Sequence, residues 1–133
     1  MEPPQGGFRV YGRAPCRGWR ENIGAGWASC PLTQNGCIRI LSQPAYPHAQ
    51  PAAAIAARLA EATATPHHAF WPDGVSLLDA ERIAWTAVLG SRQVTDVYLL
   101  ALAVQQGGRL VTLDRAVPLK AVRGARTAHL AVI

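Results

Sequence analysis

The chain has 133 residues, of which 50% are hydrophobic and 16% charged, so we expect one globular domain with a buried core and exclude a wholly disordered protein. Thirteen basic residues against eight acidic ones give a net charge of +5, which favours an anionic partner such as RNA or an acidic protein. The strongest apolar run, Val97–Val104, is far shorter than the roughly 20 residues of a spanning helix, and this predicts no membrane span.

Other classes of protein also lack support in the sequence. The first residues have neither the basic nor the apolar region of a secretory signal, so we expect a cytoplasmic protein. The three cysteines, Cys16, Cys30 and Cys37, lack the spacing of a metal knuckle and are expected to be reduced. The histidines show no zinc-protease spacing, and no serine-hydrolase elbow or phosphate-binding loop occurs.

The N-terminal elements are weakly marked. Residues 1–16 are predicted to be irregular, with a short helical turn following over Cys16–Ile23. Trp27–Cys30 is predicted to form a short buried strand that Pro31 ends, and Trp27, Trp71 and Trp85 are expected in the core.

Thr33–Leu41 allows two interpretations. The Asn-Gly pair within it is a hairpin signal, whereas Thr33 could cap a helix with Cys37, Ile40 and Leu41 on one face. We favour the helix. A second helix is predicted over Ala52–Ala62, which is rich in alanine.

An extended segment is predicted over His67–Trp71 and a helix over Ser76–Trp85. The clearest element follows, with Thr95 as the N-cap, Asp96 in the first turn, one apolar stripe, and Gly107-Gly108 as the stop. The stripe comprises Val97, Leu100, Ala101 and Val104. Short strands are predicted over Arg109–Leu113 and His129–Ile133. This alternation predicts an α/β fold with a mainly parallel sheet.

Two aspartates are expected at one edge of that sheet. Asp96 opens a helix of about twelve residues, roughly 18 Å long, and the strand that ends before Asp114 returns about 16 Å. Both carboxylates should therefore lie at the carboxyl edge, where open α/β folds bind ligands. Two nearby carboxylates suit a hard cation, Mg²⁺ or Mn²⁺, although ordinary roles in a helix turn and a loop are the commoner case for such residues.

The residues around these aspartates closely resemble the PIN-domain ribonuclease toxins of the VapC type. The resemblance lies in Gly90–Ala103 and Gly107–Asp114, and upstream, in the same order, in Trp27–Ser42 and Phe70–Asp73. It covers about residues 17–133, which we take as a PIN-like domain. It implies a three-layer α/β/α sandwich, metal-dependent hydrolysis of RNA, an antitoxin as partner, and a homodimer.

The resemblance also implies roles for individual residues. Asp96 and Asp114 match the family acids and would be the metal ligands. Thr112 matches a hydroxyl residue that could hydrogen-bond a carboxylate and fix its orientation. Gln34 stands where many relatives carry Glu, which removes one negative charge and should weaken metal binding. Arg92 could contact an RNA phosphate, although a solvated arginine is the commoner case.

The beginning of the chain departs from the family pattern. Such toxins open with an apolar strand ending in Asp-x-Asn, but no aspartate precedes Asp73 here. We therefore expect the first strand to be missing or replaced, as in a truncated, misplaced or degenerate gene start, and the activity to be impaired. The alternative is a non-catalytic protein that still binds an antitoxin or RNA. A generic RNA-binding module has only the positive charge in its favour.

Overall fold

The computed structural model describes residues 9–11 and 26–133, so the helical turn predicted over Cys16–Ile23 lies outside the described residues. Within them, five parallel strands form one sheet in the order β3-β2-β1-β4-β5. The strands are β1 Arg9–Tyr11, β2 Trp27–Ser29, β3 His68–Phe70, β4 Arg109–Thr112 and β5 Leu130–Val132. The helices are α1 Pro31–Leu41, α2 Ala52–Thr63 and α3 Val94–Gln106. None of these helices combines the length and apolar character that crossing a membrane requires.

Strand β1 occupies the centre of the sheet, where we expected the first strand to be missing or replaced. Val10 is in register with Ala28 of β2 on one side and with Leu110 of β4 on the other. The alternative of a missing first strand is therefore wrong, whereas a strand that replaces the apolar strand of the family remains compatible with Arg9–Tyr11. A central strand takes its backbone hydrogen bonds from two neighbours, so a strand of three residues suffices.

The order of the strands indicates where a ligand would bind. The chain adds β2 and β3 on one side of β1 and then crosses to add β4 and β5 on the other. Because all neighbouring pairs are parallel, the carboxyl ends of the strands meet at one edge. Ligands of open α/β sheets bind at that edge, at the point where the strand order reverses. Here that point lies between β1 and β4.

Helix α3 forms the centre of the hydrophobic core. All residues from Asp96 to Ala103 are buried, so the single apolar stripe that the sequence predicts is too narrow. The other side of the helix is covered by apolar residues of two connecting segments, joined by an isolated antiparallel bridge between Ile83 and Val122. These covering residues are Trp71, Val75, Ile83, Val117, Ala121 and Val122. A helix that is apolar around its whole circumference is typical of such a buried position.

The ends of α3 confirm the stop signal and correct the start signal. Gly107 follows the last turn with φ +67°, a left-handed conformation that glycine adopts without steric cost. A 3₁₀ turn over Ser91–Gln93 leads into the helix, and Gln93 is the N-cap residue. Thr95 is therefore already inside the helix, and its prediction as the N-cap is wrong. Asp96 lies in the first turn, as predicted.

Helix α1 confirms the helical interpretation of Thr33–Leu41 over the hairpin. The helix starts two residues earlier than Thr33, with Pro31 in its first turn and Cys30 as the N-cap residue. Thr33 is thus not the N-cap. Its hydroxyl oxygen instead accepts a hydrogen bond from the backbone N–H of Cys30 at 2.9 Å, which satisfies a donor at the helix start.

The helix predicted over Ser76–Trp85 is absent from the described structure, which has turns and a 3₁₀ turn there. The Ser76 hydroxyl accepts a hydrogen bond from the N–H of Leu78, and the Asp79 carboxylate accepts one from the N–H of Glu81. Such side-chain bonds compete with a helix for backbone donors. Trp85 is 44% exposed, so its assignment to the core is also wrong, whereas Trp27 and Trp71 are buried.

Candidate active site

The start of α3 is fastened to the loop that follows β4. Oε1 of Gln93 accepts a hydrogen bond from the backbone N–H of Leu89 at 2.9 Å, and Nε2 of Gln93 donates one to the carbonyl oxygen of Ala116 at 3.1 Å. Gln93 lies three residues before Asp96, and Ala116 lies two residues after Asp114. The two segments that carry the predicted catalytic acids therefore contact each other.

Asp96 is the more buried of the two acids, with 2% of its surface exposed. It lies in the first turn of α3, where unpaired backbone N–H groups and the helix dipole stabilise a negative charge. This placement gives a carboxylate that is held in position by the packed helix.

Asp114 is half-buried and oriented by its own loop. Its Oδ1 atom accepts a hydrogen bond from the N–H of Ala116 at 2.7 Å. Within the described residues Oδ2 of Asp114 accepts no hydrogen bond, so no protein donor there competes with a cation for this oxygen. One anchored and one available oxygen suit a cation ligand, because the anchored oxygen fixes the direction of the other.

Thr112 contacts the main chain of Asp114. The hydroxyl oxygen of Thr112 accepts a hydrogen bond from the backbone N–H of Asp114 at 3.0 Å. A hydrogen bond from this hydroxyl to a carboxylate stays a prediction, because the hydroxyl keeps its own proton to donate. Thr112 is buried at the end of β4, and it positions Asp114 through the main chain.

Gln34 belongs to a polar network at the end of β2. Its Nε2 atom donates to the Ser29 hydroxyl at 2.9 Å, and Ser29 Oγ lies 2.7 Å from Nε2 of His68. Burial lowers the pKa of His68, which favours the neutral imidazole as the acceptor of the Ser29 proton. The Trp27 ring covers His68 with a centroid distance of 4.4 Å. The sequence did not predict this network, since serine and histidine at this spacing form no known motif.

A second cluster lies at the carboxyl end of β3. Burial raises the pKa of the Cys30 thiol, and the Asp73 carboxylate raises it further. Burial and the same carboxylate also raise the pKa of the Tyr98 hydroxyl. Asp73 thus lies close to Tyr98, in the α3 turn that follows Asp96, and Cys30 stays a neutral thiol. Only the position of Asp73, just after a strand, could have indicated this cluster from the sequence.

The donor set of the site suits a small hard cation. Among residues 9–11 and 26–133, no group of three or more His, Cys, Asp or Glu side chains is placed to hold a metal ion. Mg²⁺ needs no such group, because proteins bind it through one or two carboxylates, with water and substrate phosphate filling the other positions. Asp96 and Asp114 supply that number of carboxylates.

Arg92 lies on the 3₁₀ turn that precedes α3, with its side chain exposed. In the described part of the chain the Arg92 guanidinium makes no ion pair. Arg82, by contrast, is paired with Asp79 at 3.4 Å. Arg92 is therefore available at the edge where Asp96 and Asp114 are carried, as an RNA contact requires.

The comparisons with known proteins give several relatives from Mycobacterium tuberculosis. No protein-family model matches the chain. Ribonuclease VapC44 is 48% identical over 118 residues, which are 88% of this chain and 83% of that protein. Ribonuclease VapC39 is 41% identical over 108 residues, 80% of this chain and 78% of that protein. Ribonuclease VapC29 is 38% identical over 96 residues, 72% of this chain and 67% of that protein. At these identities, over most of both chains, the protein belongs to the VapC ribonuclease family.

Proposed function

We propose that this protein is a metal-dependent endoribonuclease, the toxin of a toxin–antitoxin pair, with a PIN-like three-layer fold. The names of its relatives support the ribonuclease activity and the RNA substrate. The observation that carries the proposal for this chain is the Gln93–Ala116 hydrogen bond, because it holds the segments of Asp96 and Asp114 together at the carboxyl edge. A cognate antitoxin, a homodimer and a cytoplasmic location belong to the same proposal.

In this proposal Asp96 and Asp114 hold Mg²⁺ or Mn²⁺. The bound cation would supply an activated water and neutralise charge on the phosphodiester. Asp96 contributes from the buried first turn of α3, and Asp114 contributes through Oδ2 while the N–H of Ala116 holds Oδ1. Thr112 fixes the main chain at Asp114, and Arg92 binds an RNA phosphate.

We propose that the activity is lower than that of a site with more carboxylates. Gln34 brings no negative charge, and its amide is bonded to Ser29 rather than left for a cation. Fewer carboxylates compensate less of the cost of dehydrating the cation. Asp73, which lies near Tyr98, is the acid we propose as an additional contributor.

A non-catalytic protein that binds an antitoxin or RNA is the second candidate. It is favoured by one observation, that Gln34 brings no negative charge and that its amide donates to Ser29 at 2.9 Å. The second candidate predicts no RNA cleavage with any divalent cation, so cleavage distinguishes the two candidates.

The experiment compares RNA cleavage by the purified chain with Mg²⁺ or Mn²⁺ and with excess chelator. Asp96→Asn keeps the shape of the side chain but removes its charge, and it should abolish cleavage. Glu61→Gln, a matched change at an exposed acid of α2, should leave cleavage unchanged. Cleavage that persists in chelator, or in Asp96→Asn, would contradict the proposed mechanism. If the unchanged chain also fails to cleave RNA with either metal, the result favours the non-catalytic candidate.

A further inference from the structure

Two exposed arginines, Arg92 and Arg115, lie on the two segments that Gln93 joins. Arg92 immediately precedes Gln93, and Arg115 immediately precedes Ala116, whose carbonyl oxygen accepts the hydrogen bond from Gln93 at 3.1 Å. Each arginine is thus the chain neighbour of one partner in the Gln93–Ala116 hydrogen bond. Arg115 also follows Asp114 directly, so its backbone is part of the turn that Asp114 Oδ1 closes onto Ala116.

Arg92 and Arg115 differ from three other arginines whose guanidinium groups bond within the protein. Arg109 donates from Nε to the carbonyl oxygen of Ala128, and Arg123 donates from Nε to that of Ala80. Arg82 forms an ion pair with Asp79. By contrast, within residues 26–133 the guanidinium groups of Arg92 and Arg115 make neither an ion pair nor a hydrogen bond, and both residues are exposed. Their charges therefore remain available to a ligand.

We propose that Arg92 and Arg115 form a two-arginine clamp for the phosphodiester backbone of single-stranded RNA, and that Gln93 sets the spacing of the clamp. The inference rests on the proposed function, because it places the RNA backbone beside Asp96 and Asp114. A guanidinium presents a planar fork of donors that matches phosphate oxygens. Two such groups on adjoining segments bind one strand more firmly than either does alone.

Gln93 contributes to the clamp without touching the RNA. Its side chain bridges Leu89 and Ala116, which stabilises the contact between the turn that carries Arg92 and the loop that carries Arg115. Gln93 is therefore a positioning residue. Its loss should weaken RNA binding although both positive charges remain.

The experiment measures binding of a fluorescently labelled single-stranded RNA to the full chain by anisotropy, in chelator and at several salt concentrations. Arg92→Gln and Arg115→Gln should each weaken binding roughly tenfold at low salt, as expected for a hydrogen bond to a charged group. Each should also reduce the salt slope by about 0.7, the value for one phosphate contact on a single strand. Arg58→Gln, at an exposed arginine of α2, is the matched control and should change neither quantity.

Two further variants separate charge from position. Gln93→Ala should weaken binding several-fold while leaving the salt slope unchanged, because no charge is lost. Arg115→Lys should keep the slope but recover only part of the affinity, because an ammonium lacks the fork. If Arg115→Gln binds RNA with the affinity and slope of the unchanged chain, the clamp does not exist. If Gln93→Ala binds normally, its positioning role is wrong.

The binding assay also keeps the two proposals apart. If the chain cleaves no RNA under any condition but the arginine variants change the slope as predicted, the proposed ribonuclease activity fails and the clamp stands. If the chain cleaves RNA with metal but Arg115→Gln leaves both binding and KM unchanged, the clamp fails and the ribonuclease stands.

Discussion

The Ser29 hydroxyl oxygen lies 2.7 Å from Nε2 of His68, across neighbouring parallel strands of the sheet. Gln34 of α1 donates to the same hydroxyl at 2.9 Å. Serine has one proton to donate, so this arrangement is satisfied when Ser29 donates to a neutral His68 and accepts from Gln34. The network therefore links α1, β2 and β3 in one protonation state.

Stability should fall as the pH falls below the ordinary pKa of histidine. Burial lowers the pKa of His68 from its usual 6.5 in the folded protein. Above pH 6.5 both folded and unfolded His68 are neutral, and below it the unfolded chain takes up the proton first, which favours unfolding. Thermal unfolding measured from about pH 7.5 to about pH 5 should show a falling Tm, and the fall should be smaller in His68→Gln. An equal fall in both proteins would contradict this role of His68.

Gln34→Glu should raise the pKa of His68. The introduced carboxylate can only accept, so it competes with His68 for the Ser29 proton and places a negative charge beside the imidazole. Both effects favour the protonated ring. An NMR titration should show a higher pKa of His68 in Gln34→Glu than in the unchanged chain. Gln34→Ala, which removes the amide without adding charge, is the control, and an identical shift in it would contradict the electrostatic explanation.

Two glycines should respond in opposite directions to alanine. At both Gly36 and Gly107 an added Cβ would meet no atom within 4 Å, so crowding does not distinguish them. Gly107 has φ +67°, which strains alanine, whereas Gly36 lies inside α1. Gly107→Ala should destabilise the fold by about 1 kcal/mol, and Gly36→Ala should stabilise it by about 0.5–1 kcal/mol. Denaturant unfolding measures both, and changes of the same sign would show that the backbone conformation is not the cause.

Elements with strong local signals were predictable from the sequence. Helix α3 has an acid in its first turn and a glycine after its last turn. The alanine-rich helix α2 starts at the predicted residue and ends one residue later than predicted. The approach of the segments of Asp96 and Asp114 followed from helix and strand lengths alone. These features depend on short stretches of chain, which is why sequence patterns capture them.

Features that depend on distant partners were not predictable. Arg9–Tyr11 becomes a strand because β2 and β4 pair with it on both sides. Ser76–Trp85 has helical apolar spacing, but the side chains of Ser76 and Asp79 hold turns instead. The Ser29–His68 contact joins residues 39 positions apart, and only the register of the sheet brings them together.

The central claim, that Asp96 and Asp114 share one cation, is tested most directly by anomalous diffraction from crystals grown with Mn²⁺. We expect one anomalous peak between the two carboxylates, with metal–oxygen distances of about 2.1 Å or one bridging water. Asp114→Asn crystals under the same conditions should lose the peak. A peak elsewhere, or carboxylates more than about 10 Å apart, would contradict the shared site, because one ion could not reach both.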